Sequence, residues 1–453
     1  MLAEWLPAIM FLSLVVFIFS GLPVAMVLGG VSLVFAAIGL GMGEIRFVHL
    51  PLLINRIFSG IMANQVMVAV PMFVVMGTLL EKSGIAEDLL EGLQTAMRRV
   101  PGGLAIAVTL MGTILAASTG IIGASVSMLT LLALPIMLRN NFAPTLATGT
   151  IAASGTLGIL IPPSIMLVIM GDLLTISVGK LFMAALMPGL LLSALYLTYA
   201  ITISALRPQL APRASEPLSP EEKRALMRKL ASSFVPPAAL IALVLGSILG
   251  GWATPTEAAG VGALGALVLA LLRRRLSLGS LNNVLSRSLS TVAMIFFIFV
   301  GATAFSYLFR RFGGEAFVLD LVDATVLGPW LILAILMLLV FVMGFFFDWI
   351  EITLIVLPIF APIVQTLEFG GHVDRVDVVY WFAILVAINL QTSFLTPPFG
   401  FALFYVKGTA RNLVQLKDIY RGVIPFVALQ LLALAAVLAF PQIALWLPNL
   451  LFD

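Results

Sequence analysis

The chain has 453 residues, of which 61% are hydrophobic and only 10% are charged, and its formal net charge is +3. A soluble protein of this size needs about 25% charged residues to cover its surface, so the composition excludes an ordinary soluble domain. The chain has no cysteine, which excludes disulfides, thiolate metal sites and thiol catalysis. No basic and aromatic pattern indicates a nucleic-acid partner.

Apolar runs of about 20 residues recur along the chain, and each is long enough to cross a bilayer as a helix. We therefore predict an all-α polytopic membrane protein that is surrounded by the lipid bilayer. In chain order, the predicted apolar segments are 5–20, 22–42, 66–80, 102–138, 143–175, 180–206, 233–250, 255–272, 286–308, 327–366, 377–408 and 422–447. Segment 45–62 is too polar to span and is predicted to lie along the interface, whereas 84–99 and 409–421 are predicted surface helices.

A Pro-rich, charged linker at 207–230 separates the two halves of the chain. Its basic residues are Arg207, Arg213, Lys223, Arg224, Arg228 and Lys229. Because cytoplasmic loops of membrane proteins collect Lys and Arg, we predict that this linker is cytoplasmic.

Basic residues also predict two re-entrant hairpins. Arg98, Arg99 and Arg139 flank segment 102–138, so both of its ends are predicted to be cytoplasmic, with a turn near 118–120. Counting spans onward from Arg275 places both ends of 327–366 on the outer side, which makes that segment a hairpin of opposite polarity. Arg310 and its neighbour Arg311 then fall on the outer side, against the positive-inside rule.

These assignments divide the chain into six parts. The predicted parts are N-terminal scaffold and interfacial helices (1–100), a first repeat (101–206) with hairpin 102–138 and broken helix 143–175, the linker (207–230), further scaffold helices (231–325), a second repeat (326–420) with hairpin 327–366 and broken helix 377–408, and a C-terminal helix (421–453).

Each hairpin is followed by a span that carries a proline pair, in "TLGILIPPS" (156–164) and "TSFLTPPFG" (392–400). The combination of hairpin and broken span occurs twice with opposite polarity, which is an inverted repeat. Two discontinuous helices in matching positions indicate a transport site. One proline pair alone could be a packing kink, because membrane helices tolerate such kinks. The matched pair favours the transport site.

The chemistry of the breaks favours a cation and an anion. Two prolines stop a helix and leave carbonyls without helical donors. Ser154 and Thr156 add hydroxyls to the first break, and Thr392, Ser393 and Thr396 add them to the second. Hard cations prefer such oxygen ligands, and the helix that restarts after each proline pair presents its positive end to an anion.

The two hairpin tips supply further candidates. "AASTGIIGAS" (116–125) is small and rich in hydroxyls, which fits either a ligand role or close helix packing. Asp348 and Glu351 lie near the second tip, and intramembrane carboxylates are functional hypotheses by default. We expect Asp348 to be the ligand and Glu351 to lie in a hydrated vestibule.

Several motifs resemble one family. "GTLGILIPPS" (155–164), "GWATPTEAAGVGA" (251–263), "NLQTSFLTPPFG" (389–400) and "GFFFD" (344–348) are similar to stretches of the large membrane subunit of tripartite ATP-independent periplasmic (TRAP) transporters, as is "GLPVAMVLG" (21–29). The resemblance covers nearly the whole chain.

The resemblance implies a sodium-driven importer of organic acid anions in the bacterial inner membrane, with Na⁺ as coupling ion and an elevator movement. It implies two partners, a small membrane subunit and a periplasmic substrate-binding protein. With the residue chemistry above, it predicts sodium ligands at Ser118, Thr119, Gly120, Ser154, Gly155, Thr156, Asp348, Gln391, Thr392 and Thr396, and substrate contacts at Ser125, Pro162, Pro163, Ser164, Pro397 and Pro398.

An intramembrane enzyme and an ion channel are the alternatives. An enzyme would need an activated nucleophile or metal ligands within the membrane. The sequence offers no cysteine, no histidine cluster and no Gly-x-Ser-x-Gly motif. A channel filter does not need inverted hairpins, so transport remains the favoured function.

The charge pattern makes a topological prediction. We expect both termini and hairpin 327–366 to face the outside, and linker 207–230 and the entrance of hairpin 102–138 to face the cytoplasm. Reporter fusions at Arg213 measure this directly. A periplasmic signal at Arg213 would contradict the topology.

Overall fold

The structure is a computed structural model that describes residues 4–212, 219–324 and 328–452. It describes the backbone but not the side chains of residues 117–119, 220, 223, 319 and 321–324. The described residues form 20 α-helices joined by short turns, and they contain no β-strand. Ten helices among them are long and apolar enough to cross a membrane, counting Gln65–Lys82 as one. The all-α prediction is confirmed.

We number the helices in chain order. The first ten are α1 (Leu6–Ile18), α2 (Val24–Met42), α3 (His49–Ile57), α4 (Ala69–Lys82), α5 (Ile85–Met97), α6 (Gly103–Thr119), α7 (Ile122–Arg139), α8 (Pro144–Thr156), α9 (Ile165–Leu173) and α10 (Val178–Leu206). The others are α11 (Pro220–Leu249), α12 (Pro255–Leu272), α13 (Leu278–Arg311), α14 (Gly314–Ala324), α15 (Pro329–Met343), α16 (Trp349–Thr366), α17 (Val378–Leu395), α18 (Phe401–Ala410), α19 (Leu416–Ala439) and α20 (Gln442–Phe452).

The helix bounds give two hairpins and two broken helices. The first hairpin is α6 and α7, which meet at Gly120, and the second is α15 and α16, which meet just before Asp348. The first broken helix is α8 and α9, and the second is α17 and α18. Both hairpins and both breaks therefore lie in the predicted segments.

The packing partners follow an inverted repeat. α2 packs against α13, and α4 packs against α12. Likewise α7 packs against α18, and α16 packs against α9. When α2 is matched with α12, α4 with α13, α7 with α16 and α9 with α18, these four contacts form two equivalent pairs: α2 on α13 corresponds to α12 on α4, and α7 on α18 corresponds to α16 on α9.

The helices fall into two groups by their contacts. We call α6–α10 and α15–α20 the repeat block, because the hairpins, the broken helices and the C-terminal helices pack on one another. We call α2, α4 and α11–α13 the flanking helices. Every residue of α17 is buried, so this helix is enclosed by its neighbours along its whole length.

The crossing of α8 and α19 is one of the closest in the repeat block. A Cβ added at Gly149 would overlap the carbonyl of Gly422, and a Cβ added at Gly422 would overlap the carbonyl of Thr145. Small residues allow membrane helices to approach in this way. The C-terminal helix α19 is therefore packed tightly against the first broken helix.

Three predicted segments differ from the structure. The second half of the linker, from Pro220, is the start of α11, because Ser219 and Glu222 form a capping box that begins a helix there. Segment 409–421 is not a separate surface helix, since α18 ends at Ala410 and α19 begins at Leu416. The C-terminal part also forms two helices rather than one.

A capping box begins α12. In "ATPTEA", the Thr254 side chain accepts a hydrogen bond from the Glu257 backbone amide at 3.3 Å, and the Thr254 amide donates to the Glu257 carboxylate at 2.8 Å. This capping box starts α12 and accounts for the motif locally.

Candidate transport site at the two helix breaks

Both proline pairs follow a buried helix and interrupt it. After α8, the chain makes a short 3₁₀ turn at Leu157–Ile159 and then runs irregularly to Ser164 before α9 begins. After α17, residues 396–400 are irregular before α18 begins. The peptide bonds Pro162–Pro163 and Pro397–Pro398 are both cis. The first pair is buried, whereas Pro397 is half-buried and Pro398 is exposed.

A hydrogen bond joins the two breaks at equivalent positions. The Gln391 side-chain amide Nε2 donates to Thr156 Oγ1 at 3.2 Å. These residues are 235 positions apart, and so are Pro162 and Pro397, so each precedes its proline pair by the same distance. A pseudo-twofold axis that relates the two repeats would therefore pass between these two side chains.

The hydrogen bond between Gln391 and Thr156 leaves the side-chain oxygen of Gln391 without a partner among the described residues. Thr156 Oγ1 donates to the Ala153 carbonyl at 2.9 Å, so its contact with Gln391 must be with a donor, which assigns Nε2 to that side of the amide. Gln391 Oε1 is fully buried and has no hydrogen-bond partner among the described residues. A buried acceptor without a partner is costly, so this oxygen suits a cation or another donor.

The predicted hydroxyl ligands donate to nearby oxygens. Thr392 Oγ1 donates to the Ile388 carbonyl and Thr396 Oγ1 to the Thr392 carbonyl, both at 2.8 Å. Ser154 Oγ lies 3.4 Å from Thr109 Oγ1. Because a hydroxyl keeps lone pairs when its hydrogen is donated, these oxygens can still coordinate a cation.

The first hairpin covers the first break. A Cβ added at Gly155 would lie 2.5 Å from the Val126 side chain of α7, and one added at Gly120 would lie 3.0 Å from Ile165, the first residue of α9. Gly120 has a φ of +58°, a left-handed conformation that glycine adopts readily. The backbone of α6 ends beside it, whereas the side chains of the predicted ligands Ser118 and Thr119 lie outside the described residues.

Two serines predicted as substrate contacts are buried beside these elements. Ser125 Oγ donates to the Ile121 carbonyl at 3.1 Å at the start of α7. Ser164 Oγ donates to the Ile159 carbonyl at 2.8 Å and closes the loop that contains the first proline pair. At the second break, the Pro398 carbonyl accepts a hydrogen bond of 2.6 Å from Tyr420. Ser164 thus stabilises its break directly.

The second tip places Asp348 at the start of α16. Its carboxylate Oδ1 accepts from the Trp349 amide at 2.8 Å, and the Asp348 amide donates to Glu351 Oε2 at 3.2 Å. The two carboxylates therefore form a capping box for the inner end of the second hairpin. Asp348 is at the predicted tip, and the hydrogen bonds described for it remain within the beginning of α16.

Two contacts that sequence reasoning missed hold the second hairpin against its break. Asn389 Nδ2 donates to the Met337 carbonyl of α15 at 2.6 Å. Gly344 lies so close to α17 that an added Cβ would overlap Ser393 Oγ. The first repeat has a similar approach, where a Cβ at Gly112 would lie 2.6 Å from Ser154 Cβ. An amide inside a continuous apolar run was the available signal for Asn389.

Two cavities lie between the repeat block and the flanking helices. The hairpin cavity, of about 710 Å³, reaches the first tip at Ile121 and Gly123 and is also lined by Tyr405, Lys82 and Arg287. The arginine cavity, of about 490 Å³, is lined by residues of α3, α9, α13 and α16, and its lining on α16 begins only at Leu354. The first tip is therefore open to a cavity, and the predicted topology places that cavity on the cytoplasmic side.

The sequence matches a known family over almost its full length. Residues 11–443 match the model of the tripartite ATP-independent periplasmic transporter, DctM component. The chain belongs to this family. It is thus the large permease subunit of a TRAP transporter, a multi-pass protein of the bacterial inner membrane, and the resemblance drawn from the motifs is confirmed.

Relatives within the family carry different substrates in their names. The C4-dicarboxylate TRAP transporter large permease protein DctM of Pseudomonas aeruginosa is 30% identical over 85% of this chain and 87% of its own length. DctM of Rhodobacter capsulatus is 30% identical over 96% of this chain and 99% of its own. The sialic acid large permease SiaM of Vibrio cholerae is 28% identical over 94% and 98%.

A solved structure supports the fold alone. The YdaH transporter of Alcanivorax borkumensis, described as having an unusual topology, superposes with a TM-score of 0.63 over 89% of this chain and 90% of its own. The sequence identity is 14%, so this likeness concerns the architecture and not the substrate.

Proposed function

We propose that this TRAP large permease imports an organic acid anion with Na⁺ as the coupling ion. The observation that carries the proposal is the contact between the two breaks, where Gln391 binds Thr156 and leaves a buried amide oxygen free. Carbonyl, amide and hydroxyl oxygens are the ligands that a hard monovalent cation accepts. Discontinuous helices form such sites in secondary transporters.

The proposed sodium ligands are those predicted from sequence. In the first half they are the oxygens of 118–120 and 154–156, and in the second half those of Asp348, Gln391, Thr392 and Thr396. Apart from the Asp348 carboxylate these ligands are neutral, and neutral oxygens bind a cation without the desolvation cost of a complete buried ion pair, so the ion can both enter and leave. The start of α9 and the proline loops at 162–164 and 397–398 provide the place for the anion.

Alternating access is proposed to follow from movement of the repeat block against the flanking helices. The hairpin cavity supports this, because it opens the first tip to a volume of about 710 Å³, whereas the cavity beside Phe346 and Phe347 at the second tip is apolar and only about 110 Å³. In an inverted repeat, the exchange of these two environments is the expected opposite state. We propose that this exchange is an elevator movement.

The proposal includes two partners, a small membrane subunit and a periplasmic binding protein that delivers the substrate. Named relatives act on C4-dicarboxylates, 2,3-diketo-L-gulonate and sialic acid. All three are carboxylic acids, and we propose a carboxylate as the substrate here.

Reconstituted uptake tests the function. In proteoliposomes with both partners, an inward sodium gradient should raise the initial rate of uptake of labelled succinate, pyruvate or sialic acid by about tenfold over a choline gradient. Without either partner, uptake should fall to background, because the binding protein supplies the substrate and the small subunit completes the membrane complex. Robust uptake by this chain alone, or equal rates in sodium and choline for every substrate taken up, would contradict the proposal. Saturable kinetics would separate a carrier from a channel.

A further inference from the structure

Two arginines that the helix breaks do not use line the arginine cavity. Arg310 falls on the predicted outer side against the positive-inside rule, and the structure places it on the same cavity as Arg56. The volume of this cavity, about 490 Å³, lies within the range of roughly 300–1,000 Å³ that is typical of small-molecule sites. Arg310, which is an exception to the positive-inside rule in the predicted topology, therefore lines a cavity large enough for a small ligand.

The charges on the cavity wall leave a positive excess. Its charged residues are Arg56, Arg310 and Asp172, and Asp172 accepts a hydrogen bond of 2.8 Å from Asn64. Arg310 Nε is 3.8 Å from Glu315 Oε1, which is a long contact between partly exposed groups. Arg56 has no ion-pair partner among the described residues. Both guanidinium groups line the same cavity, and an anion bound between them would offset their like charge.

The rest of the lining suits a carboxylate. Hydroxyl groups of Thr303 and Ser306 line the cavity and can donate hydrogen bonds to anionic oxygens. The hydroxyls of Ser59 and Thr175 also line it, but they donate to the Arg56 and Leu174 carbonyls. Guanidinium groups bind carboxylates through strong, charge-assisted hydrogen bonds. The cavity therefore combines charge, donors and volume for a small organic anion.

The location links the cavity to transport. Arg56 and Arg310 are on α3 and α13, whereas Asp172 is on α9 of the repeat block and Leu354 is on α16. The cavity is thus shared between the two groups of helices, on the side opposite the opening of the first tip in the predicted topology. We propose that Arg56 and Arg310 form an outer binding site for the carboxylate of the substrate, which the anion occupies before it reaches the helix breaks. Its place in uptake rests on the proposed function.

A lipid phosphate offers the same chemistry, since α3 was predicted to lie along the interface. Comparing succinate binding to the full-length protein in nanodiscs of zwitterionic phosphatidylcholine and in nanodiscs that contain anionic phosphatidylglycerol distinguishes the two sources. The titration is performed calorimetrically in choline buffer without sodium, so that the sodium-dependent site at the breaks does not contribute.

We expect wild-type protein to bind succinate and Arg56→Gln and Arg310→Gln each to weaken binding by about tenfold. Arg311→Gln is the matched control, because Arg311 neighbours Arg310 but contacts His49 Nε2 at 2.6 Å and does not line the cavity. It should bind as wild type does. If a glutamine variant fails to fold, Arg56→Lys and Arg310→Lys keep the charge and should retain measurable binding weaker than wild type.

Two results would overturn the proposal: wild-type protein that binds no succinate, or variants that bind it as tightly as wild type. In nanodiscs with phosphatidylglycerol, we expect succinate affinity to stay within about twofold. If phosphatidylglycerol abolishes succinate binding, the cavity is a lipid site and the substrate assignment is wrong. Succinate binding without sodium-driven uptake in the reconstituted system would instead contradict the proposed function and leave the outer site standing.

Discussion

Gln391→Leu is expected to raise the sodium concentration that half-saturates uptake by about tenfold. The substitution removes the buried free oxygen Oε1 and the hydrogen bond to Thr156 that joins the two breaks. A hydrogen-bonding group that interacts with a charge contributes about 1.5–3 kcal/mol, and 1.4 kcal/mol is a factor of ten in affinity. The measurement is the initial rate of uptake in proteoliposomes over a sodium titration.

Gln430→Leu is the matched control for this variant. Gln430 is also fully buried, but it lies on α19, where its side-chain amide is beside the Tyr196 hydroxyl and makes no hydrogen bond to a described residue of either break. Its replacement should leave the sodium response unchanged. If both leucine variants shift the response equally, the effect is one of general packing and Gln391 has no special role.

The threonine variants extend the same prediction. Thr156→Val and Thr392→Val should each raise the sodium requirement while leaving the protein folded, because each removes one oxygen at a break. Thr130→Val controls for the substitution, since Thr130 is equally buried and donates to the Val126 carbonyl within α7. If both break variants keep an unchanged sodium response, the proline pairs are structural kinks.

Gly344→Ala is expected to reduce uptake by at least about tenfold. The added Cβ would overlap Ser393 Oγ, so the end of α15 would have to move away from α17. Overpacking of this kind costs about 1–3 kcal/mol, and here the displaced element is the hairpin that covers the second break. Uptake rates and the amount of monodisperse protein are measured together.

A second substitution makes this test specific. Ser393→Gly removes the atoms that the new Cβ would meet, so the double variant Gly344→Ala/Ser393→Gly should recover part of the lost uptake. Gly328→Ala is the control at the other end of α15, where an added Cβ meets nothing within 4 Å. Wild-type uptake by Gly344→Ala would show that the close approach is unimportant.

Much of the architecture could be predicted because hydropathy and charge act over whole segments. The positions of Arg98, Arg99 and Arg139 were enough to predict that segment 102–138 is a hairpin, and in the structure the segment turns at Gly120. Proline acts locally and strongly, so both breaks were placed within the correct residues. The linker was less predictable, because a Pro-rich charged segment fits a coil until Ser219 and Glu222 are recognised as a capping box.

The site was only partly predictable for a geometric reason. Thr156 and Gln391 were both among the predicted sodium ligands near the breaks, but a linear sequence does not show that they contact each other. The same limit applies to Gly344, whose importance depends on how closely Ser393 approaches it. Asp348 was predicted as a ligand from its charge and position, and the structure shows that its carboxylate also caps the N-terminus of α16.

The close crossing at Gly149 and Gly422 has a practical consequence for spectroscopy. It fixes α19 to the first broken helix, so a probe near the C-terminal end of the chain would report the position of the candidate site. The chain has no native cysteine, so introduced thiols would be the only points of attachment. One thiol at exposed Trp446 on α20 and one at exposed Leu264 on α12 form a distance pair between the repeat block and the flanking helices, without background labelling.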